Sequence, residues 1–250
     1  MADSGWGGWA LQDTAGGRSD PSAATSSGVS DRPSVLVVGA ASRDLTADDP
    51  RGWRLGGGVS YGSLTLARLG IPTRALVGAD AEAAEALELE LLRESGVEVS
   101  VVRLAHGPVF RNVETSDGRQ QHCLSISSPI VPRRLPEGWA IEADAVLLAP
   151  VAAELDDEWA LVPRPDAYVA LGWQGLLRTL TDGRDVERLA PVARPLVARA
   201  NLLGMSVEDV GSDVRLSQLV DVIGVGANLL FTRGGAGGTL LTSRRPARSG

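Results

Sequence analysis

Leu55 to Asp80 reads Leu-Gly-Gly-Gly-Val-Ser-Tyr-Gly-Ser-Leu-Thr-Leu-Ala-Arg-Leu-Gly-Ile-Pro-Thr-Arg-Ala-Leu-Val-Gly-Ala-Asp. Three consecutive glycines, Gly56 to Gly58, let the backbone turn tightly and come close to a ligand. Leu64, Ala67 and Leu69 then recur at roughly helical spacing, and Ser60 or Ser63 is placed to cap the start. Gly70, with Pro72 just beyond it, marks the C-terminal stop. Thr73 to Val77 is a short apolar run, so a strand comes next. The unit is glycine turn, helix, strand, with an open helix start whose backbone N–H groups suit hydroxyls or anions. The same residues also describe a tight turn into an ordinary helix, so the flanking sequence has to decide.

Upstream, Ser34 to Gly39 is a buried strand by its β-branched run and glycine stop. Ala40-Ala41-Ser42-Arg43-Asp44 leaves its carboxyl end, where ligands sit in open α/β sheets. Asp44, with Ser42 beside it, is a candidate to hold a hydroxylated ligand. Leu45 to Arg54 is polar and turn-rich. Downstream, Ala81 to Ser95 predicts one helix with Leu87, Leu91 and Leu92 on one side, ended by Gly96. Val97 to Leu104 alternates as a strand. Val109 to Thr115 and Arg119 to Ile126, joined at Ser116-Asp117-Gly118, predict a hairpin with half-polar faces that projects as a lid.

The second half repeats the alternation. Asp144 to Pro150 and Ala167 to Leu171 read as strands, with a short helix around Asp156 to Val162 between them. Gly172-Trp173-Gln174-Gly175 breaks the second strand at its carboxyl end, making Gln174 and Arg178 candidates for a pocket wall. A helical stretch comes next over Val186 to Arg199, interrupted by Pro191 and Pro195, then a strand at Ala200 to Met205 and an amphipathic helix at Val214 to Val225. Strands at Asn228 to Thr232 and Thr239 to Thr242 flank Arg233-Gly234-Gly235-Ala236-Gly237-Gly238. The order predicts a doubly wound, mostly parallel α/β sheet with helices on both faces and a small β-hairpin lid over about 44–56 and 106–128. Residues 1–32, rich in Gly, Ser, Ala and Asp, read as a disordered tail with Trp6 and Trp9 its large apolar residues; residues 33–250 read as one domain. Gly224-Val225-Gly226 precedes a strand, the wrong order for a dinucleotide site.

Composition excludes several chemistries. Net charge is −7, which disfavours nucleic acid, and no apolar run approaches the ~18 residues of a membrane span. A single cysteine, Cys123, rules out an internal disulfide and fits a reducing, cytoplasmic compartment. All 24 basic residues are arginine, so a Walker-type phosphate loop and Schiff-base catalysis, which need lysine, are excluded. His106 and His122 are too few for a three-histidine metal site, and both read as solvated.

Taken in order, these motifs resemble the PfkB, or ribokinase-like, family of carbohydrate kinases from about Val35 to Thr242. The similarity runs through Gly39 to Asp44, the Gly-Gly turn with Ala67-Arg68-Leu69-Gly70, Val77 to Asp80, the hairpin, Ser206-Val207-Glu208-Asp209, and Thr232 to Gly237. The resemblance implies phosphoryl transfer from ATP, with Mg²⁺, to a hydroxyl of a small sugar, nucleoside or polyol. It implies substrate binding by Asp44, Ser42, Gly56, Gly57 and Tyr61, and cofactor binding by Ser206, Asp209, Thr232, Gly234 and Gly237. It assigns no metal ligand and no catalytic residue. Tyr61 stands where relatives often have Asn, pointing away from ribose, and Ser206 and Asp209 are shorter than the usual Asn and Glu. The family's Asp-x-x-Gly-Ala-Gly-Asp segment, with its anion hole and catalytic aspartate, does not occur; after Thr242 the sequence runs Ser243 to Gly250. Each missing function is worth about 10²–10⁴ in rate. The expectation is therefore an incomplete kinase of little or no activity, or else a non-catalytic polyol-binding protein on a kinase fold. The lid hairpin offers an edge through which a homodimer could pair.

Overall fold

The computed structural model describes residues 32–115, 118–210 and 214–244, with the side chains at 114, 115, 118 and 119 left undescribed. The expected tail lies outside these residues except for Arg32, as does the hairpin tip at Ser116 and Asp117.

Fifteen strands and five helices are described. The strands are β1 (Val35–Ala40), β2 (Arg43–Leu45), β3 (Trp53–Leu55), β4 (Thr73–Ala79), β5 (Glu98–Arg103), β6 (Val109–Thr115), β7 (Gly118–Ser125), β8 (Ala145–Leu148), β9 (Tyr168–Gly172), β10 (Arg178–Thr179), β11 (Arg184–Asp185), β12 (Glu187–Arg188), β13 (Leu202–Ser206), β14 (Asn228–Thr232) and β15 (Gly238–Thr242). The helices are α1 (Gly58–Arg68), α2 (Leu87–Glu94), α3 (Trp139–Glu142), α4 (Pro195–Arg199) and α5 (Leu216–Val222).

The main sheet has the order β15-β14-β13-β9-β8-β1-β4-β5, parallel except for the β14–β15 pair. It is the doubly wound α/β architecture that the sequence predicts. The chain lays down β1, β4 and β5 in one direction, then returns to the other side of β1 with β8. The crevice between β1 and β8 is therefore the topological switch point, whose carboxyl end is the place for a ligand. Period-two alternation divides the core. Val37, Ala75 and Val77 face α1 and α2 with Val59, Leu64, Leu89 and Leu92. Leu36, Val38, Leu76, Val146, Leu148 and Leu171 face the other way, onto Trp139, Trp159, Leu196, Val197 and Leu219.

A second, five-stranded sheet has the order β11-β7-β6-β2-β3. It draws on the segments read as a lid, with β2 and β3 joining the hairpin. The base of the hairpin is flanked within the chain, β7 by β11 at His122 and Cys123 and β6 by β2 from Val109 to Arg111. Trp53 anchors the base of this sheet. Arg51 lies 4.5 Å over its ring and pairs with Asp49 and Glu88, and the guanidinium holds the Asp49 carboxyl down at about 2.

Local expectations fail where side-chain pattern and backbone demands diverge. The helix expected over Ala81 to Ser95 is two pieces: a short 3-10 turn at Ala83–Glu85, capped by the Asp80 carboxylate on Ala83 N–H at 2.9 Å, then α2. Ala86 between them is extended, which re-phases the helix, so Leu89 and Leu92 are buried while Leu87 is 76% exposed. Neither Ser60 nor Ser63 caps α1: Gly57 does, with φ of 95°, and Ser60 Oγ donates back to Gly56 O. The stretch Val186 to Arg199 is mostly not helical. It holds β12 and then only α4, because Pro191 and Pro195 lack the N–H a helix interior needs and Pro195 is tolerated in the first turn. The helix expected over Val214 to Val225 is likewise shorter, Leu216–Val222. His122 is not simply solvated, since its Nδ1 lies 2.9 Å from Asp185 Oδ1.

Leu148, fully buried at the end of β8, lies in the larger core cluster. Leu148→Ala should cost about 2–5 kcal/mol in urea unfolding. Leu161→Ala, at a residue 87% exposed, should stay within about 0.5 kcal/mol of the parent.

Candidate functional site

A cleft of about 750 Å³ opens over the carboxyl ends of β1, β8, β9 and β13, roofed by the second sheet. One wall is the chain leaving β1. Its strand alternation sends Arg43 and Asp44 in opposite directions. Arg43 reaches Asp80 at 2.9 Å and Glu82 at 2.8 Å, whereas Asp44 lines the cleft beside Ser42. Ser42 Oγ donates to Asp44 Oδ1 at 3.1 Å and orients the carboxylate. Asp80, from the Val77–Asp80 motif, thus holds the wall in place from outside while it also caps the turn at Ala83.

The glycine turn closes on this wall. Ser42 and Gly56 exchange backbone bonds, Gly56 N–H to Ser42 O at 2.8 Å and Ser42 N–H to Gly56 O at 3.2 Å. A Cβ on Gly56 would stand 2.4 Å from Asp44 Oδ2, and one on Gly57 would stand 2.4 Å from Ala40 O. Gly57 also has a left-handed φ of 95°. Gly57 and Gly58 line the cleft, so the N-terminus of the eleven-residue α1 opens beside Asp44. Tyr61, one turn into α1, stands at the rim and is more than half exposed. Burial of the rest of the ring, and then the Asp44 charge, push its phenol up.

The opposite wall comes from the ends of β9 and β13. Asp209 is buried, and its Oδ1 accepts from Gln174 Nε2 at 2.9 Å with Arg178 Nη2 at 3.7 Å. Its Oδ2 accepts from Ser206 N–H at 2.7 Å, while Ser206 Oγ accepts from Glu208 N–H. Ser206 and Asp209 therefore form a reciprocal capping box on a 3-10 turn. Arg178 also lies 6.0 Å from the Phe110 ring of the roof.

Of the sequence candidates, Ser42, Asp44, Gly57, Tyr61, Gln174, Arg178 and Asp209 line this one cleft, with Gly56 directly behind Asp44 and Ser206 bonded to Asp209. Thr232, Gly234 and Gly237 do not line it. They sit on the turn from β14 to β15, where Thr232 pairs in register with Ser206 and donates to Met205 O. A Cβ on Gly234, Gly235 or Gly237 would meet nothing within 4 Å, so the turn presents open backbone, with Arg233 tied to Thr239. Asp185 and Arg188 also line the cleft but lie beside or within a stretch of helical composition, which conceals them in the sequence. Among the described residues no group of three or more His, Cys, Asp or Glu is placed to hold a metal ion. These residues do not by themselves build a Mg²⁺ site, and none of the described helices is long and apolar enough to cross a membrane.

No family model matches the chain, and no curated protein matches it in sequence. In structure it is similar to a pyrophosphate-dependent kinase of the ribokinase family complexed with a pyrophosphate analogue and myo-inositol, at 19% identity and a TM-score of 0.65, covering 84% of this chain and 76% of that one. A sulfate complex of a pyrophosphate-dependent kinase in the ribokinase family gives 16% and 0.61, covering 86% and 81%. Ribokinase from Thermotoga maritima gives 13% and 0.53, covering 84% and 75%. The chain has the α/β fold of the ribokinase-type sugar kinases.

Gly57→Ala combines a left-handed φ with a collision against Ala40 O, whereas Gly52→Ala carries only the φ, 78°, in open space. Gly52→Ala should cost about 1–2 kcal/mol by thermal or chemical unfolding. Gly57→Ala should cost clearly more, because the end of β1 has to move.

Proposed function

We propose that this chain binds a small sugar or polyol between Asp44 and the N-terminus of α1, and that it presents one hydroxyl for phosphoryl transfer. The carrying observation is the close approach of Gly56 and Gly57 to Ser42 and Asp44, which places an acceptor-only carboxylate beside open backbone donors in a polar cleft. Carboxylates paired with backbone N–H groups bind vicinal hydroxyls because each hydroxyl both donates and accepts. Tyr61 supplies an aromatic face at the rim in place of an amide, which suits a ring over an open chain. The myo-inositol bound by one structural neighbour supports a cyclic polyol.

The donor side of this reading is the turn at Thr232 to Gly238. Its bare glycine backbone and Arg233 would hold the phosphates of ATP or of pyrophosphate. Bound there, either donor supplies the phosphoryl group. This chain's own residues orient the acceptor through Asp44 and Ser42 and cover it from water with the second sheet. The acceptor partner is thus a small hydroxylated molecule, and the acidic net charge argues against nucleic acid. A second reading, polyol binding without turnover, is favoured by one observation. Both Asp209 oxygens already accept hydrogen bonds within the protein, from Gln174 and Ser206, with Arg178 at 3.7 Å, so a metal-bound phosphate would compete with these partners.

Isothermal titration with myo-inositol, ribose and related polyols tests the binding site, and phosphoryl transfer from ATP or pyrophosphate to the tightest binder then separates the two readings. Binding should weaken about tenfold or more in Asp44→Ala. The absence of binding across the panel, or an Asp44→Ala variant that binds as the parent does, contradicts the proposal.

A further inference from the structure

Glu154 is a buried carboxylate outside every sequence motif. It is 2% exposed, on the loop after β8. Its Oε1 accepts from Ala40 N–H at 2.8 Å, both oxygens accept from Val151 N–H at 3.1 Å, and Oε2 accepts from Ala152 N–H at 2.7 Å. Ala40 is the last residue of β1, two residues before Ser42. Val151 lines the cleft. One carboxylate therefore joins the two loops that diverge at the switch point between β1 and β8. Burial pushes this carboxyl above the usual carboxylate range, and its backbone donors pull it back. Three N–H donors converge on it, which is an arrangement that satisfies the ionised form.

The loop is shaped to deliver that carboxylate. Ala153 adopts a left-handed φ of 57° without being glycine, a conformation L side chains rarely take, and it turns Glu154 back into the protein. Glu154 O accepts from Ile130 N–H at 2.9 Å, and Trp159 Nε1 donates to Ile130 O at 2.6 Å, so the backbone is held from below. From above, Val151 O accepts weakly from Arg178 Nη1 at 3.5 Å, and Arg178 leads on to Asp209.

We propose that Glu154 is a positioning residue for the cleft: by bonding the end of β1 to the loop after β8, its carboxylate fixes where Ser42 and Asp44 stand relative to Val151 and Arg178. The significance for ligand binding rests on the polyol site proposed above; the mechanical tie does not. A plain structural role would cost global stability. A positioning role predicts local opening at two segments more than 100 residues apart in sequence, with the rest of the sheet intact.

Amide hydrogen exchange tests the tie without any ligand. In the parent chain the Ala40, Val151 and Ala152 amides should be slow and should open with one common free energy. In Glu154→Gln, whose single acceptor oxygen faces three donors, these three should lose protection about tenfold or more, while Leu76 in β4 and Leu203 in β13 keep theirs. Independent or fast exchange of the three in the parent overturns the proposal even if the variant fails to fold. Uniform loss across the sheet in a folded variant, or no loss, also overturns it. Polyol titration of the same variant then separates the two ideas. Parent binding with tenfold weaker binding by Glu154→Gln supports both. A parent that binds no polyol while the three amides open together sinks the polyol site and leaves the tie standing. Undiminished binding with the loops opened overturns the positioning role.

Discussion

The structure turns on the contact between the Gly56-Gly57 turn and the end of β1. A carbonyl oxygen and a carboxylate occupy the space where side chains would be, at 2.4 Å from each hypothetical Cβ. Because nothing larger fits, α1 can begin directly against the wall that carries Ser42 and Asp44. The helix start, the wall and the switch point between β1 and β8 then share one crevice. Apolar burial on both faces of β1 supplies the stability. It does not choose where the polar groups go; the close backbone approach and the bonds between Ser42 and Gly56 do that.

Around this contact the strand ends are linked by polar bonds, not by packing alone. Asp80 holds Arg43 from outside, Glu154 ties β1 to the loop after β8, and Asp209 draws in Gln174 and Ser206 with Arg178 alongside. Each carboxylate sits near a strand's carboxyl end and accepts from backbone, from an amide or from arginine. In a chain without lysine, planar guanidinium groups take the cationic positions, and they suit bidentate and stacked contacts such as Arg51 on Glu88 and on Trp53. The result is a cleft whose walls hold little side-chain freedom to lose when a ligand arrives.

Much of this is legible in the sequence. Short apolar runs mark β1, β4 and β14 nearly to the residue, and in β1 and β4 burial on both faces makes the signature continuous. Glycine spacing locates the turn that enters α1 and, with Asp44, one wall of the cleft. What escapes detection depends on contacts distant in sequence. Glu154 lies in Ala-Ala-Glu-Leu, a helix-like string, and its role appears only when Ala40 is brought to it from 114 residues away. Arg188 is hidden because Val186 to Arg199 has helical composition but prolines that deny it backbone donors, and Asp185 sits just ahead of that stretch. The cap of α1 departs from its pattern for the opposite reason. Two serines suit the role chemically, yet the close approach to Ala40 requires glycine there.

The most direct measurement is a titration of ¹⁵N-labelled chain with myo-inositol and with ribose, tracking backbone and side-chain amide shifts. The account predicts that the amides of Ser42, Gly57 and Gly58 and the side chain of Gln174 move together and saturate, while those of Val35, Leu66 and Ala145, which line a separate apolar groove of about 430 Å³ beside α1 and β8, stay still. Shifts that cluster at that groove, or an unperturbed cleft at saturating polyol, would contradict it.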